Sequence, residues 1–289
     1  MKFAGIIAEY DPFHNGHAWQ LAQAKALGAE RVAVAMSCSL VQRGALPLLP
    51  EAVRTRSALT CGADLVFALP APCACAGAEA FARAGVALLA AAGCDGLVFG
   101  AETPDAALLM EAAELLDSDP YRAALKAQLA GGARSFAAAR QAAAAKLASD
   151  ERVAALLDKP NNNLAVEYCR AIRSLAPRME AYPLPRQGAN HGEALHSAHG
   201  QFASASALRK LWAEGGADAV APYVPEAVFP LYQEAYAAGQ YTDFSAAGRC
   251  ELALLRSACR GKAPFADIRG VSEGLEHRLE SAVRTSTTY

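Results

Sequence analysis

His14 and His17 stand three residues apart, framing Asn15 and Gly16, in the stretch GIIAEYDPFHNGHAWQLAQAKALG at residues 5–28. An apolar run precedes them and a helix-like pattern follows. On the first turn of a helix, side chains three apart share one face. The first N–H groups of a helix have no internal partner, and the helix dipole adds positive potential there. A strand running into such a helix therefore makes an anion site. Gly16 has no side chain, so a nucleotide can approach the backbone closely. Two imidazole N–H donors at that spot could stabilise the charge that builds on a triphosphate during attack at its α-phosphorus.

The elements that must position this junction read as short apolar runs bounded by turns. FAGIIAE (3–9), RVAVAMS (31–37), DLVFALP (64–70) and GLVFG (96–100) are predicted strands, and MEAYPLP (179–185) is a fifth. Helical patterns over 16–27, 50–62 and 76–92 alternate with the first four. That alternation predicts an α/β fold, a Rossmann-like parallel sheet with right-handed crossovers. Strands buried in such a sheet need nearly continuous apolar runs, as these have. Residues 104–157 are alanine-rich, with SFAAARQAAAAKLASD as a strong helix former, and are expected to be a helical insertion. NLAVEYCRAIRSL (163–175) is expected to be a further helix capped by Asn163, after a polar loop. Residues 188–200 read as a loop rich in Gly and His. SASALRKLW (204–212) starts another helix, and from about 216 onward only helical segments are expected. The expected division is a nucleotide-binding domain over 1–212 and a small helical domain over 213–289.

The 289 residues are 53% hydrophobic and 19% charged. Such a chain can bury a sizeable core and is not disordered. A net charge of −2 gives no broad basic field for nucleic acid, though a local patch is compatible with it. The eight cysteines form no CxxC pair and sit mostly in apolar stretches. They read as reduced core cysteines, not disulfides or metal ligands. His191, His196 and His199 match no metal-ligand spacing and read as solvated loop residues. No signal peptide is recognisable, and the longest apolar stretch is broken by Gly93, Asp95 and Gly96. A cytoplasmic protein without a membrane span or resident metal is expected.

The HxGH junction resembles the HIGH-type nucleotidyltransferases, which act at the α-phosphate of a nucleotide and release pyrophosphate. A more specific resemblance rests on GIIAEYDPFHNGH, MSCSLVQRG, CGADLVFALP, AEAFARAGVALLAAAGCDGLVFGAE, KPNNNLAVEYCRAI and FASASALRK. In order and spacing these are similar to the bacterial tRNA(Met) cytidine acetate ligases. The resemblance implies HIGH-type sheet topology, with ATP, acetate and elongator tRNA(Met) as substrates and Mg2+ carried by the nucleotide. It implies formation of acetyl-adenylate and then acetylation of N4 of the wobble cytidine, with no nucleophilic Ser or Cys.

His14 and His17 become the catalytic pair by that likeness. The ATP site would comprise Ile7, Ala8, Glu9, Tyr10, Asp11, Pro12, Phe13, His14, Asn15, Gly16, His17, Ala18, Trp19 and Gln20. Gly100, Asn161, Asn162 and Arg186 would join it, with the contacting asparagine left open. SASALRK resembles a second phosphate motif, which makes Ser204, Ser206 and Arg209 candidate phosphate contacts. Two other readings of the residues stay open: an adenylyltransferase acting on a small phosphorylated metabolite, and a non-catalytic ATP-binding protein. Asp11 stands where the family has asparagine, so its carboxylate should either point away from a triphosphate or help to hold magnesium. The family continues past the point where this sequence reads RTSTTY, into a basic segment expected to help hold tRNA.

Overall fold

Val32, Val34 and Met36 belong to one hydrophobic cluster and Ala33 and Ala35 to another, and all five are fully buried. A strand covered on both faces needs apolar residues at every position, which is why RVAVAMS carries an unbroken run. The structure, a computed structural model, describes all residues except 133–134, 187–194, 198–199, 261–264, 269–270, 272–273 and 288–289, and leaves the side chains of 195–197 and 200–201 undescribed.

Strands β1 (Phe3–Ala8), β2 (Arg31–Ser37), β3 (Leu65–Leu69), β4 (Gly96–Ala101) and β5 (Glu180–Pro185) form a five-stranded sheet in the order β3-β2-β1-β4-β5. Every pairing is parallel. Helices α1 (Asn15–Ala26), α2 (Glu51–Thr60), α3 (Ala71–Ala74) and α4 (Ala78–Ala91) lie between the first four strands in sequence. The strand order reverses between β1 and β4, which opens a crevice beyond their carboxyl ends. Helix α4 presses closely on β1. A Cβ on Gly85 would lie 2.6 Å from Ile7 Cδ1, and one on Gly5 would lie 2.8 Å from Leu89 Cδ1. Glycine at both positions is therefore a packing requirement.

The insertion is helical as expected: α5 (Ala106–Asp117), α6 (Asp119–Ala130), α7 (Phe136–Leu147) and α8 (Glu151–Leu156). Helix α9 (Pro160–Leu175) returns to the sheet. Its Glu167 is buried and pairs with Arg140 of α7 and, at 2.7 Å, with Arg170, which also holds Asp117 of α5 at 2.8 Å. Helix α9 starts three residues earlier than Asn163. Pro160 occupies its first turn, where the proline ring already has helical φ and its missing N–H costs nothing. Asn163 is therefore not the cap. Its amide donates to the carbonyls of Leu157 at 2.6 Å and Lys159 at 3.1 Å.

Within the stretch read as a loop, β6 (Leu195–Ser197) pairs antiparallel with β7 (Gly200–Phe202). His191 and His199 lie outside the described residues, as does the side chain of His196. Helices α10 (Ala205–Ala219) and α11 (Phe229–Ala237) follow, separated by a 3-10 turn at Ala221–Tyr223.

The chain divides into two compact units, Met1–Gln240 and Tyr241–Tyr289. A boundary after residue 212 would cut α10. Leu208 and Trp212 of α10 and Tyr232 of α11 share one hydrophobic cluster with Ile6 and Val34 of the sheet. The second unit contains α12 (Phe244–Ala258) and α13 (Leu275–Thr285) around Leu252, Cys259, Phe265 and Val283. All eight cysteines are unpaired, but only Cys94, Cys169 and Cys259 are buried, so fewer of them serve the core than their apolar neighbours suggested. Among the described residues, no helix is long and apolar enough to cross a membrane.

Candidate active site at the tip of the first helix

The chain leaves β1 through Tyr10, whose φ of +51° lies in the left-handed region, and passes the cis Asp11–Pro12 bond to reach His14. His14 is extended, at φ −149° and ψ 176°, and caps α1. Its Nδ1 accepts the Gly16 N–H at 3.1 Å. In return the His14 N–H donates to His17 Nδ1 at 3.3 Å. This reciprocal pairing is a capping box in which histidines replace the usual Ser and Glu. It stacks the two rings, with centroids 3.8 Å apart and planes 24° from parallel. The edge of Tyr10 supports His17, at a centroid distance of 4.8 Å.

With Nδ1 accepting on both rings, each neutral imidazole carries its proton on Nε2. Burial, reinforced by the Arg186 cation, lowers the His14 pKa to about 4. Burial and then the neighbours His14 and Arg186 hold His17 well below the usual imidazole range. The pair therefore offers two uncharged N–H donors at neutral pH. In the ligand-free protein, the imidazole 15N shifts of both residues should show no inflection between pH 6 and 8. Unfolded histidine takes up its proton near pH 6.5, while the folded rings resist it. Their contribution to stability is thus constant above about pH 6.5 and is lost progressively as pH falls towards about 4. Thermal unfolding across that window checks the sign.

Both rings line a cavity of about 270 Å³ at the carboxyl ends of β1 and β4. Of the sequence-predicted residues, Ile7, His14, Gly16, His17, Trp19, Gln20, Gly100, Asn161, Arg186 and Ser204 line it. Ala8, Glu9, Tyr10, Asp11, Pro12, Phe13, Asn15, Ala18, Asn162, Ser206 and Arg209 do not. Several of these brace the loop instead. The buried Asp11 accepts the Leu48 N–H at 2.6 Å and pairs with Arg209 at 3.1 Å, so its carboxylate is committed elsewhere. Arg209 also donates to the Asp11 carbonyl at 2.7 Å. Tyr232 donates to the Phe13 carbonyl at 2.7 Å, and the Asn15 amide donates to the Pro222 carbonyl at 3.2 Å.

The two asparagines separate clearly. The Glu102 carboxylate occupies the N-terminus of α9, accepting from the Asn161 amide at 2.6 Å and the Asn162 N–H at 2.7 Å. Asn161 also accepts from Arg186 and faces the cavity. The buried Asn162 instead accepts the Thr103 N–H at 2.9 Å and donates to the Thr103 hydroxyl at 3.2 Å. Ser204 caps α10 through the Ala207 N–H at 3.2 Å, with Ser206 hydroxyl 3.0 Å from its own.

Comparison with known proteins agrees with this geometry. A family model described as HIGH Nucleotidyl Transferase matches residues 1–289. The chain is 37% identical over 292 residues to the tRNA(Met) cytidine acetate ligase of Syntrophotalea carbinolica, covering all of this chain and 68% of that one. It is 34% identical over 300 residues to the one from Acetivibrio thermocellus, covering all of this chain and 71% of the relative. This chain belongs to the tRNA(Met) cytidine acetate ligase family.

The fold agrees with that family. Thermotoga maritima TmcAL in its apo form superposes with a TM-score of 0.91 at 31% identity, over all of this chain and 69% of that one. The form bound with alpha-thio ATP gives 0.88 at 30% identity, over all of this chain and 68% of that one. In this member of the family, Gly16 is fixed by the histidine pair. A Cβ there would lie 2.9 Å from His14 Cε1 and 3.0 Å from its Nδ1. Gly16→Ala should displace the His14 ring and slow turnover by about tenfold to a hundredfold, because small misplacements at a reacting centre are costly. Alanine favours a helix by about 1 kcal/mol, so the melting temperature should fall little. Steady-state kinetics beside a thermal melt measure both.

Sequence reasoning missed Phe99, Leu164, Tyr168, Leu184, Pro185, Ala203 and Ala205 in the lining. One signal existed. Asn161, Leu164 and Tyr168 recur at i, i+3 and i+7 on α9, so one helical stripe carries all three.

Proposed function

We propose that this chain activates acetate with ATP and transfers the acetyl group to the N4 amine of the wobble cytidine of tRNA(Met). The observation that carries this reading is the stacked pair of neutral imidazoles at the tip of α1, whose Nε2–H groups have no partner among the described residues and whose rings line the cavity together with Arg186. An acetate oxygen attacks the α-phosphorus, the bond to the bridging oxygen of the β-phosphate breaks, and pyrophosphate leaves with that electron pair. The cytidine amine then attacks the acyl carbon, the acyl–phosphate bond breaks, and AMP leaves as the amine gives up a proton.

Acetate is already a carboxylate at neutral pH, so the first step needs no general base. It needs positioning and a field for charge developing on phosphate oxygens. His14 and His17 supply fixed dipoles for that charge, and Arg186 supplies a cation. No carboxylate lines the cavity among the described residues: Asp11 faces Leu48 and Arg209, and Glu9 accepts the Gln42 N–H at 2.6 Å. Magnesium would accordingly ride on the triphosphate's own oxygens and water.

Isotope exchange between pyrophosphate and ATP, run with and without acetate, tests the first step, and addition of tRNA(Met) tests the second. Exchange that requires acetate supports the reading. Exchange indifferent to acetate but responsive to a phosphorylated metabolite, or nucleotide binding with no exchange, rejects it.

A further inference from the structure

The cavity is chemically divided. Its histidines, Asn161 and Arg186 gather where α1, β5 and α9 converge, whereas Ile7, Phe99, Leu164 and Tyr168 belong to the hydrophobic cluster that also contains residues of α4 and α9. Tyr168 is only 5% exposed, and its ring packs on Phe99 at a centroid distance of 5.4 Å. Its hydroxyl hydrogen-bonds to no described residue. A phenol on a nine-tenths buried ring, without a hydrogen-bond partner among the described residues and at the wall of a cavity, is a donor available to a ligand.

We propose that Tyr168 and the apolar wall of Ile7, Phe99 and Leu164 form the acyl subsite, where the Tyr168 hydroxyl orients the carboxylate and the wall limits the acid to a short chain. The inference rests on the acetate-activation reading above and adds to it the residues that choose the acid. An adenine ring would ask this corner for several donors and acceptors along its edge. The corner offers one hydroxyl among apolar groups, which matches a methyl group joined to a carboxylate. Burial and the nearby Glu9 carboxylate keep the phenol protonated. A neutral donor holds the acid without neutralising the oxygen that must attack phosphorus, as a cation would.

The test uses the full chain and the acetate-dependent exchange assay, with acetate, propionate and butyrate as acids. Tyr168→Phe keeps the ring on Phe99 and removes only the hydroxyl. Its KM for acetate should rise by roughly tenfold, with the KM for ATP within about twofold of wild type, since a hydrogen bond to a charged group is worth about that much. Leu164→Ala should shift the ratio of kcat/KM for propionate over acetate upward by about tenfold or more, the usual worth of one methylene in a pocket. A Tyr168→Phe variant that loses ATP affinity and keeps its acetate KM would assign the corner to the nucleotide and overturn the subsite. Unchanged acid selectivity in Leu164→Ala would overturn the wall. Wild-type protein without acetate-dependent exchange would instead remove the reading beneath the subsite, an outcome distinct from either variant result.

Discussion

His17→Ala should abolish acetate-dependent pyrophosphate exchange while leaving the protein folded. The substitution removes one of the two neutral donors that line the cavity and that the proposed reaction assigns to the phosphate. A preorganised donor of this kind is worth about two to three orders of magnitude in kcat. It also strips the acceptor from the His14 N–H and opens a gap beside Tyr10 and Phe13. Loss of this half of the capping box costs about 1 kcal/mol, since the Gly16 N–H keeps its acceptor on His14. That is a small part of the roughly 5–15 kcal/mol typical of a domain. His14→Asn separates the two effects. Asparagine is among the best helix caps, so the Gly16 N–H keeps an acceptor, but no N–H reaches the position of the imidazole Nε2. Exchange should be lost in His14→Asn with a melting temperature close to wild type. If either variant retains exchange within about tenfold of wild type, the imidazole pair is a structural cap and nothing more.

That pair was legible in the sequence because its signal is local. Two histidines, a glycine and a strand-to-helix junction fit within a few residues, and backbone geometry does the rest. The strands were legible for the same reason: a run such as RVAVAMS is apolar at both parities and has no place except inside a covered sheet. The parts that failed to show are those fixed by partners distant in sequence. Arg209 looks like a phosphate ligand in SASALRK, yet it pairs with Asp11, 198 positions away. Asn162 looks as available as Asn161, yet Thr103 claims it. Asn163 looks like a cap, but Pro160 starts the helix sooner. The bracing of the HNGH loop by Tyr232 and by the Pro222 carbonyl has no local signature at all, and it explains why the first unit must continue beyond residue 212.

The largest loss of stability from a single substitution should come from Arg54→Ala. Arg54 is fully buried. Its Nε donates to the Leu49 carbonyl at 3.0 Å, and Nη1 donates to the Glu9 carbonyl at 2.8 Å and the Ser37 carbonyl at 2.7 Å. Nη2 donates to the Cys38 carbonyl. One planar guanidinium thus ties the carboxyl ends of β1 and β2 together, directly beneath the turn that presents His14. Burial pushes its pKa down, but Asp11, Glu51 and Glu9 favour the charged form. Alanine would leave four carbonyls without a donor and those acids without a buried cation, at a cost of about 3–5 kcal/mol. For a domain of this size the melting temperature should drop by roughly 6–20 °C. Arg54→Lys should recover only part of that loss, because an ammonium is a compact point charge and cannot span a fork of acceptors. Arg56, on the same helix, supplies the contrast. It is exposed and meets Glu234 at 3.6 Å, so Arg56→Ala should change stability by less than about 1 kcal/mol. Nucleotide titration of the Arg54 variants, at a temperature where they remain folded, adds the functional half. Once the ends of β1 and β2 loosen, the Tyr10 ring that supports His17 should shift with them, so affinity for ATP should fall along with stability. A melt of Arg54→Ala within a degree of wild type would mean that those carbonyls find other donors, and the presentation of the imidazole pair would then rest on the braces from α10 and α11 alone.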